Sequence, residues 1–288
     1  MAGRGVITSL ARSLDPRYAT NRAVLLLMPI AGVMAGVVML VRGGSILQMM
    51  GTAVAGALSA FGGWALTREL APDDNIAAFV VMALAFATFP VAKPVAFLVL
   101  FTTMFLVRIV NRTAGLPARM TDSIVVSGLA IAIMYLTKSP LFGLVAALAF
   151  ALDAVLQDAL RRQWLFAVSC LSVAGTWFVR YGSGSDAESG LSAGISVLLA
   201  VVALAYAATV LLLRVMESVA DSTGDRLSVS RVRAGMLIAL LVASMAFPLG
   251  QPGLTVTAVV WASLTGVAGT AALMRLSRSG QRTGRHLV

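Results

Sequence analysis

The sequence is poor in the residues from which metal centres and redox sites are built. Its 288 residues include one cysteine, Cys170, and one histidine, His286. A single cysteine cannot form a disulfide within the chain, and zinc and haem sites in proteins rely on His and Cys ligands. These two absences exclude a disulfide framework, a His/Cys metal centre and a His-based acid–base pair.

Charged residues are also scarce, at 12% of the chain, and the lysines are limited to Lys93 and Lys138. Neither lysine follows a Gly-rich loop of the kind that holds nucleotide phosphates. The sequence therefore gives no support for ATP-driven chemistry. No cofactor is expected, apart from Mg²⁺ under one alternative considered below.

Apolar residues dominate instead, with 59% hydrophobic residues and a mean hydropathy of +0.92. A bilayer core about 30 Å thick takes roughly 20 helical residues to cross. The pattern predicts an all-α, polytopic transmembrane helical bundle of about ten spans. It divides the chain into a basic N-terminal segment (1–22), a transmembrane domain (23–274) and a basic tail (275–288). The predicted spans are 23–41, 45–66, 76–92, 94–110, 122–137, 140–158, 163–179, 191–213, 234–250 and 253–274.

The basic residues are distributed unevenly along these spans. Only four of the 22 fall in loops opposite the N-terminal segment, namely Arg42, Lys93, Lys138 and Arg180. Because cytoplasmic loops collect Lys and Arg, both termini are predicted to be cytoplasmic, with the protein in the inner (plasma) membrane. The net charge of +10 then indicates anionic lipid headgroups as partners and requires no nucleic acid. Other membrane subunits stay open as partners.

The acidic residues form two groups near predicted cytoplasmic span ends. The stretch "RELAPDDN" (68–75) contributes Glu69, Asp73 and Asp74. The second group recurs every four residues, so a helix would place its members on one face; it comprises Glu217, Asp221 and Asp225. Both groups have two interpretations: helix caps and solvated charges, or ligands that hold Mg²⁺. The first group could also hold a cationic substrate or a proton.

Asp153 stands apart because it follows an apolar run without a break. An acid at a span centre costs about 2.5–3.5 kcal/mol to insert, so it usually has a partner or a role. Arg108, Arg112 and Arg119 are the candidate partners, since their loop is predicted on the same side. The substrate-binding candidates are two arginines that suit an anion, two polar aromatics predicted inside spans, and the acid itself: Arg112, Arg119, Tyr206, Trp261 and Asp153.

Three functions fit these patterns. Ten spans with both termini inside resemble the layout of the drug/metabolite transporter superfamily, which implies a transporter-like protein that moves a small solute through the bundle. Two acidic groups and nearby arginines are similar in outline to the intramembrane prenyltransferases, which implies a Mg-dependent enzyme acting on a lipid or isoprenoid diphosphate. The third is an assembly or accessory subunit of a membrane complex. The sequence analysis favours the transporter over an enzyme.

Overall fold

A computed structural model of the chain describes residues 8–10, 14–182 and 190–284, with side chains described up to residue 277. Within these residues the regular structure is helical, apart from one isolated bridge between Val219 and Arg226. The α-helices are α1 (Ala19–Val41), α2 (Ile46–Leu70), α3 (Asn75–Phe86), α4 (Pro94–Asn111), α5 (Met120–Thr137), α6 (Leu141–Val155), α7 (Gln163–Tyr181), α8 (Ala193–Leu212), α9 (Val229–Ser244) and α10 (Ala246–Gly284).

Each of the ten predicted apolar segments overlaps one of these helices, which confirms the all-α class. Seven are long and apolar enough to cross a membrane: α1, α2, α4, α5, α7, α8 and α10 as far as Ser277. The helices α3 and α6 are apolar but have only 12 and 15 residues. The fold is therefore compatible with an integral membrane protein, while ten crossings and the orientation of the termini stay predictions.

Proline sets two of the turns. Helix α3 ends at Phe86, six residues before the predicted end, because Pro90 cannot continue its hydrogen bonding; a 3₁₀ turn (Phe89–Val91) follows. The related "FPLGQP" turn interrupts α10 at Gly250, whose φ of 61° lies in the left-handed region that glycine tolerates.

Helix α4 forms the centre of the bundle. It packs against α2, α5, α6, α9 and α10. In its 18 residues 67% of the positions are buried, compared with 17% in the most apolar stretch of α8. Helix α1 lies at the edge and packs mainly along α2, where a Cβ added to Gly32 would approach the Ala53 carbonyl oxygen to 3.0 Å. The small residues thus allow close backbone contact between α1 and α2.

Successive helices alternate in direction, which brings many polar residues to one end of the bundle. We call this the polar end; it comprises the last turns of α2, α4 and α6 and the first turns of α5, α7 and α9. The N-terminal segment lies there, because the Leu10 carbonyl accepts a hydrogen bond from Arg108. The last part of α10 lies there too, because Arg275 and Asp73 line one cavity.

The segment 213–228 is not helical, so the prediction that Glu217, Asp221 and Asp225 share a helix face is wrong. The segment folds back on itself instead, and the Ala220 amide donates to the Asp225 carbonyl at 2.8 Å. Its "DSTGD" sequence is rich in turn-forming residues, and Gly224 adopts a φ of 72°. Because this segment is not a helix, the spacing of four residues does not place the three acids on one face.

Candidate functional site

The carboxylate of Asp153 is the centre of a buried charge network at the polar end. The side chain lies in the last turn of α6 and is fully buried. Its Oδ1 accepts from Arg112 Nε at 3.0 Å and from Arg231 Nη1 at 2.8 Å. Its Oδ2 accepts from Gln163 Nε2 at 3.3 Å. Two guanidinium groups therefore share one carboxylate out of contact with water.

Arg231 joins three parts of the bundle. Besides Asp153, it donates to the carbonyl oxygens of Val110 at 2.8 Å and Gln157 at 2.9 Å. Helix α9 is thereby fixed to the end of α4 and to the residues after α6. Arg231 was not predicted from the sequence, because an arginine before an apolar run looks like an ordinary cytoplasmic charge. The one available signal was a buried acid in need of a partner.

Glu69 forms a second buried pair. Arg108 Nε donates to its carboxylate at 2.9 Å, and the Thr113 hydroxyl donates to the other oxygen. The backbone carbonyl of Glu69 accepts from Asn111 Nδ2 at 2.7 Å. Arg108 also donates to Leu10, so the same arginine holds the N-terminal segment. The pair links the last turn of α2 to the last turn of α4.

Asp122 caps α5 and also binds the N-terminal segment. Its carboxylate accepts from the Arg119 amide at 3.1 Å and from the Ser9 amide and hydroxyl at 2.9 and 2.6 Å. Arg119 itself is exposed, whereas Arg112 turns into the network. The structure therefore places these two anion-binding candidates in different surroundings.

The remaining acids of the first group serve local structure. Asp73 accepts from the backbone amides of Glu217 at 3.0 Å and Ser218 at 2.7 Å. Asp74 caps α3 by accepting from the Ala77 amide at 2.9 Å. In the part of the chain that the structure describes, no three His, Cys, Asp or Glu side chains are grouped so as to hold a metal ion.

Tyr206 and Trp261 are both buried inside the bundle. The Tyr206 hydroxyl donates to the Met236 carbonyl at 3.4 Å. The indole Nε1 of Trp261 has no hydrogen-bond partner among the described residues. Neither residue, nor Asp153, lines the cavity described next.

A cavity of about 440 Å³ lies at the polar end, lined by the α2–α3 turn, the end of α8 with the residues after it, α9 and α10. Its lining mixes two kinds of residue. The charged members are Asp73, Asp74, Arg214, Glu217 and Arg275. The apolar members include Leu70, Leu212, Leu213, Met236, Val267, Ala271 and Met274. Ligand sites commonly have this volume and this combination of apolar walls with a few charged groups.

Comparisons of the chain with protein-family models, curated proteins and solved structures found no significant match. The comparisons therefore provide no related protein in support of either the transporter or the prenyltransferase resemblance. The geometry of the polar end is the basis for a function: its cavity is accessible, whereas the charge network around Asp153 is buried.

Proposed function

We propose that the chain is an integral membrane protein that binds a small amphipathic solute in the cavity and acts as a transporter-like carrier. The observation that carries the proposal is the mixed lining of the cavity at the end of the bundle. Apolar walls suit a hydrocarbon chain, and charged groups at the boundary suit a polar head. In this proposal Asp153 has a structural role, since its oxygens already accept hydrogen bonds from Arg112, Arg231 and Gln163.

A carrier fits the contacts better than a Mg-dependent enzyme does. Glu69 is paired with Arg108, Asp73 binds two backbone amides, and Asp74 caps α3. Mg²⁺ sites in such enzymes use carboxylate oxygens together with substrate phosphates. Carboxylates already engaged in this way would have to break existing bonds to accept a metal.

We also propose that the polar end faces the cytoplasm. Only four of the 22 basic residues fall in loops assigned to the opposite side. Cys170 is buried, so single added cysteines can report the orientation. A membrane-impermeant maleimide should label Lys93→Cys on intact cells, and should label Ser277→Cys only after the membrane is opened. The reverse pattern would contradict the assignment.

Binding in the cavity is tested by filling it. Ala271 lines the cavity, whereas its exposed neighbour Ala272 does not, so Ala271→Phe and Ala272→Phe form a matched pair. The probes are single-chain amphiphiles of one chain length with anionic, cationic, zwitterionic or uncharged heads. Ligand that binds only the folded state raises its stability, by about 2.7 kcal/mol at 100 times Kd. We expect at least one probe to raise the Tm of the wild type and of Ala272→Phe, but not of Ala271→Phe.

Carrier activity needs a second readout. Protein reconstituted into vesicles should move the stabilising probe across the bilayer, and Ala271→Phe should abolish that movement. If every probe acts equally on all three proteins, the amphiphile merely coats the apolar surface, and the proposed function is wrong. Absence of any stabilisation would instead favour the assembly-subunit alternative.

A further inference from the structure

The charged residues of the cavity differ in whether they already have partners. Asp73 accepts two backbone hydrogen bonds, from Glu217 and Ser218, and Asp74 accepts one while complementing the dipole at the start of α3. Both carboxylates are thus engaged with the protein's own amides. They contribute to the shape of the cavity more than to the recognition of a charged ligand.

Arg214, Glu217 and Arg275 are the charged lining residues that remain. All three are exposed, and within the described residues their side chains have neither a hydrogen bond nor an ion pair. Two guanidinium groups beside one cavity suit a phosphate, because each presents several donors to anionic oxygens. One carboxylate beside them suits an ammonium group.

The apolar part of the lining leads from this charged edge into the bundle. Leu212 and Met236 bring in α8 and α9, and Val267 and Met274 bring in successive turns of α10. The outer face of α8 continues the apolar path, since Leu204 and Leu211 are 71% and 74% exposed. A hydrocarbon chain that starts in the cavity can therefore run along α8 in the lipid phase.

We propose that the cavity binds a phospholipid-like amphiphile with a zwitterionic head, in which a phosphate contacts Arg214 and Arg275 and an ammonium group contacts Glu217. This inference rests on the proposed function and names its ligand class. A purely anionic head would leave Glu217 and the nearby Asp73 and Asp74 as like charges in the same cavity. The ammonium group offsets that repulsion.

The experiment compares three lipids with the same acyl chain on the purified full-length protein: lysophosphatidylethanolamine, lysophosphatidic acid and monoacylglycerol. Lysophosphatidylethanolamine should bind tightest, at least tenfold tighter than either of the others. Arg214→Gln combined with Arg275→Gln should weaken both phospholipids at least tenfold and leave monoacylglycerol unchanged. Glu217→Gln should weaken only the lipid that carries the ammonium group.

Two controls separate the cavity from general attraction. Arg161→Gln removes one guanidinium group from an exposed position at the polar end, outside the cavity lining, and should leave all three affinities unchanged. Phosphoethanolamine and inorganic phosphate carry no chain and should not stabilise the protein at the same concentrations. Stabilisation by either chainless compound equal to that by the lysolipid would overturn the lipid assignment.

The outcomes also distinguish the headgroup from the cavity. If lysophosphatidic acid binds as tightly as the zwitterionic lipid, or if the double arginine variant behaves like Arg161→Gln, the headgroup inference is wrong. The proposed function survives that result as long as Ala271→Phe still prevents binding. If Ala271→Phe leaves every affinity unchanged, both the function and the inference fail.

Discussion

Asp153→Asn should lower the free energy of unfolding by about 3–5 kcal/mol, the usual cost of removing one partner from a buried ion pair. The change leaves Arg112 and Arg231 without their shared carboxylate, at a position where the acid is fully buried. Uncompensated positive charge in that environment is costly. Thermal unfolding of the detergent-purified protein measures the loss.

The chain contains a matched control for this prediction. Asp158 lies five positions further on, is exposed, and has a left-handed φ of 58° that asparagine also adopts. Asp158→Asn should therefore change stability by less than about 0.5 kcal/mol, as exposed substitutions generally do. Equal effects of the two asparagines would show that the charge of Asp153 is not needed inside the bundle.

A second substitution tests whether charge balance is the cause. Arg112→Met added to Asp153→Asn removes one of the two stranded guanidinium groups, while Arg231 keeps its carbonyl partners Val110 and Gln157. The double variant should be more stable than Asp153→Asn alone. Destabilisation that simply adds up would indicate that shape, and not charge, governs the site.

Gly235→Ala should destabilise the protein by roughly 2–4 kcal/mol, from overpacking together with a lost buried hydrogen bond. A Cβ at Gly235 would lie 1.8 Å from Asn111 Oδ1, so the Asn111 side chain must move. That movement breaks its bond to the Glu69 carbonyl, which joins α4 to α2. Thermal unfolding again provides the measurement.

Gly175→Ala is the corresponding control. Gly175 lies inside α7, and a Cβ there would meet no atom within 4 Å. Because alanine favours helix more than glycine does, this change should be neutral or stabilise by up to about 1 kcal/mol. A mild effect at Gly235 would mean that Asn111 can reorient without loss.

The helices were predictable because uninterrupted apolar runs leave few alternatives, and proline explains the boundary error at the end of α3. The partner of Asp153 was predictable only as one of three arginines. Arg108 and Arg112 are four residues apart and would share a helix face. The helix ends at Asn111, however, and Arg112 adopts a φ of 54°, so the two side chains reach different acids.

Other features depend on tertiary structure that sequence spacing does not contain. Arg231 finds Asp153 across 78 positions of chain, through the packing of α9 against α4 and α6. The cavity depends on how the non-helical segment 213–228 lies beside the α2–α3 turn, with Asp73 holding the backbone of Glu217 and Ser218. Because a helix was predicted for that segment, the cavity could not be predicted from the sequence.

The buried ion pairs around the end of α4 also bear on how the bundle can change shape. They join α2, α4, α6 and α9 at the polar end, so we expect any relative tilting of these helices to pivot there. Helix α4 has 18 residues and is about 27 Å long at 1.5 Å per residue. A tilt of about 10° around the pivot would displace the far end of such a helix by about 5 Å. Such a tilt would leave the contacts around Asp153 intact while it separates the helices at the opposite end of the bundle.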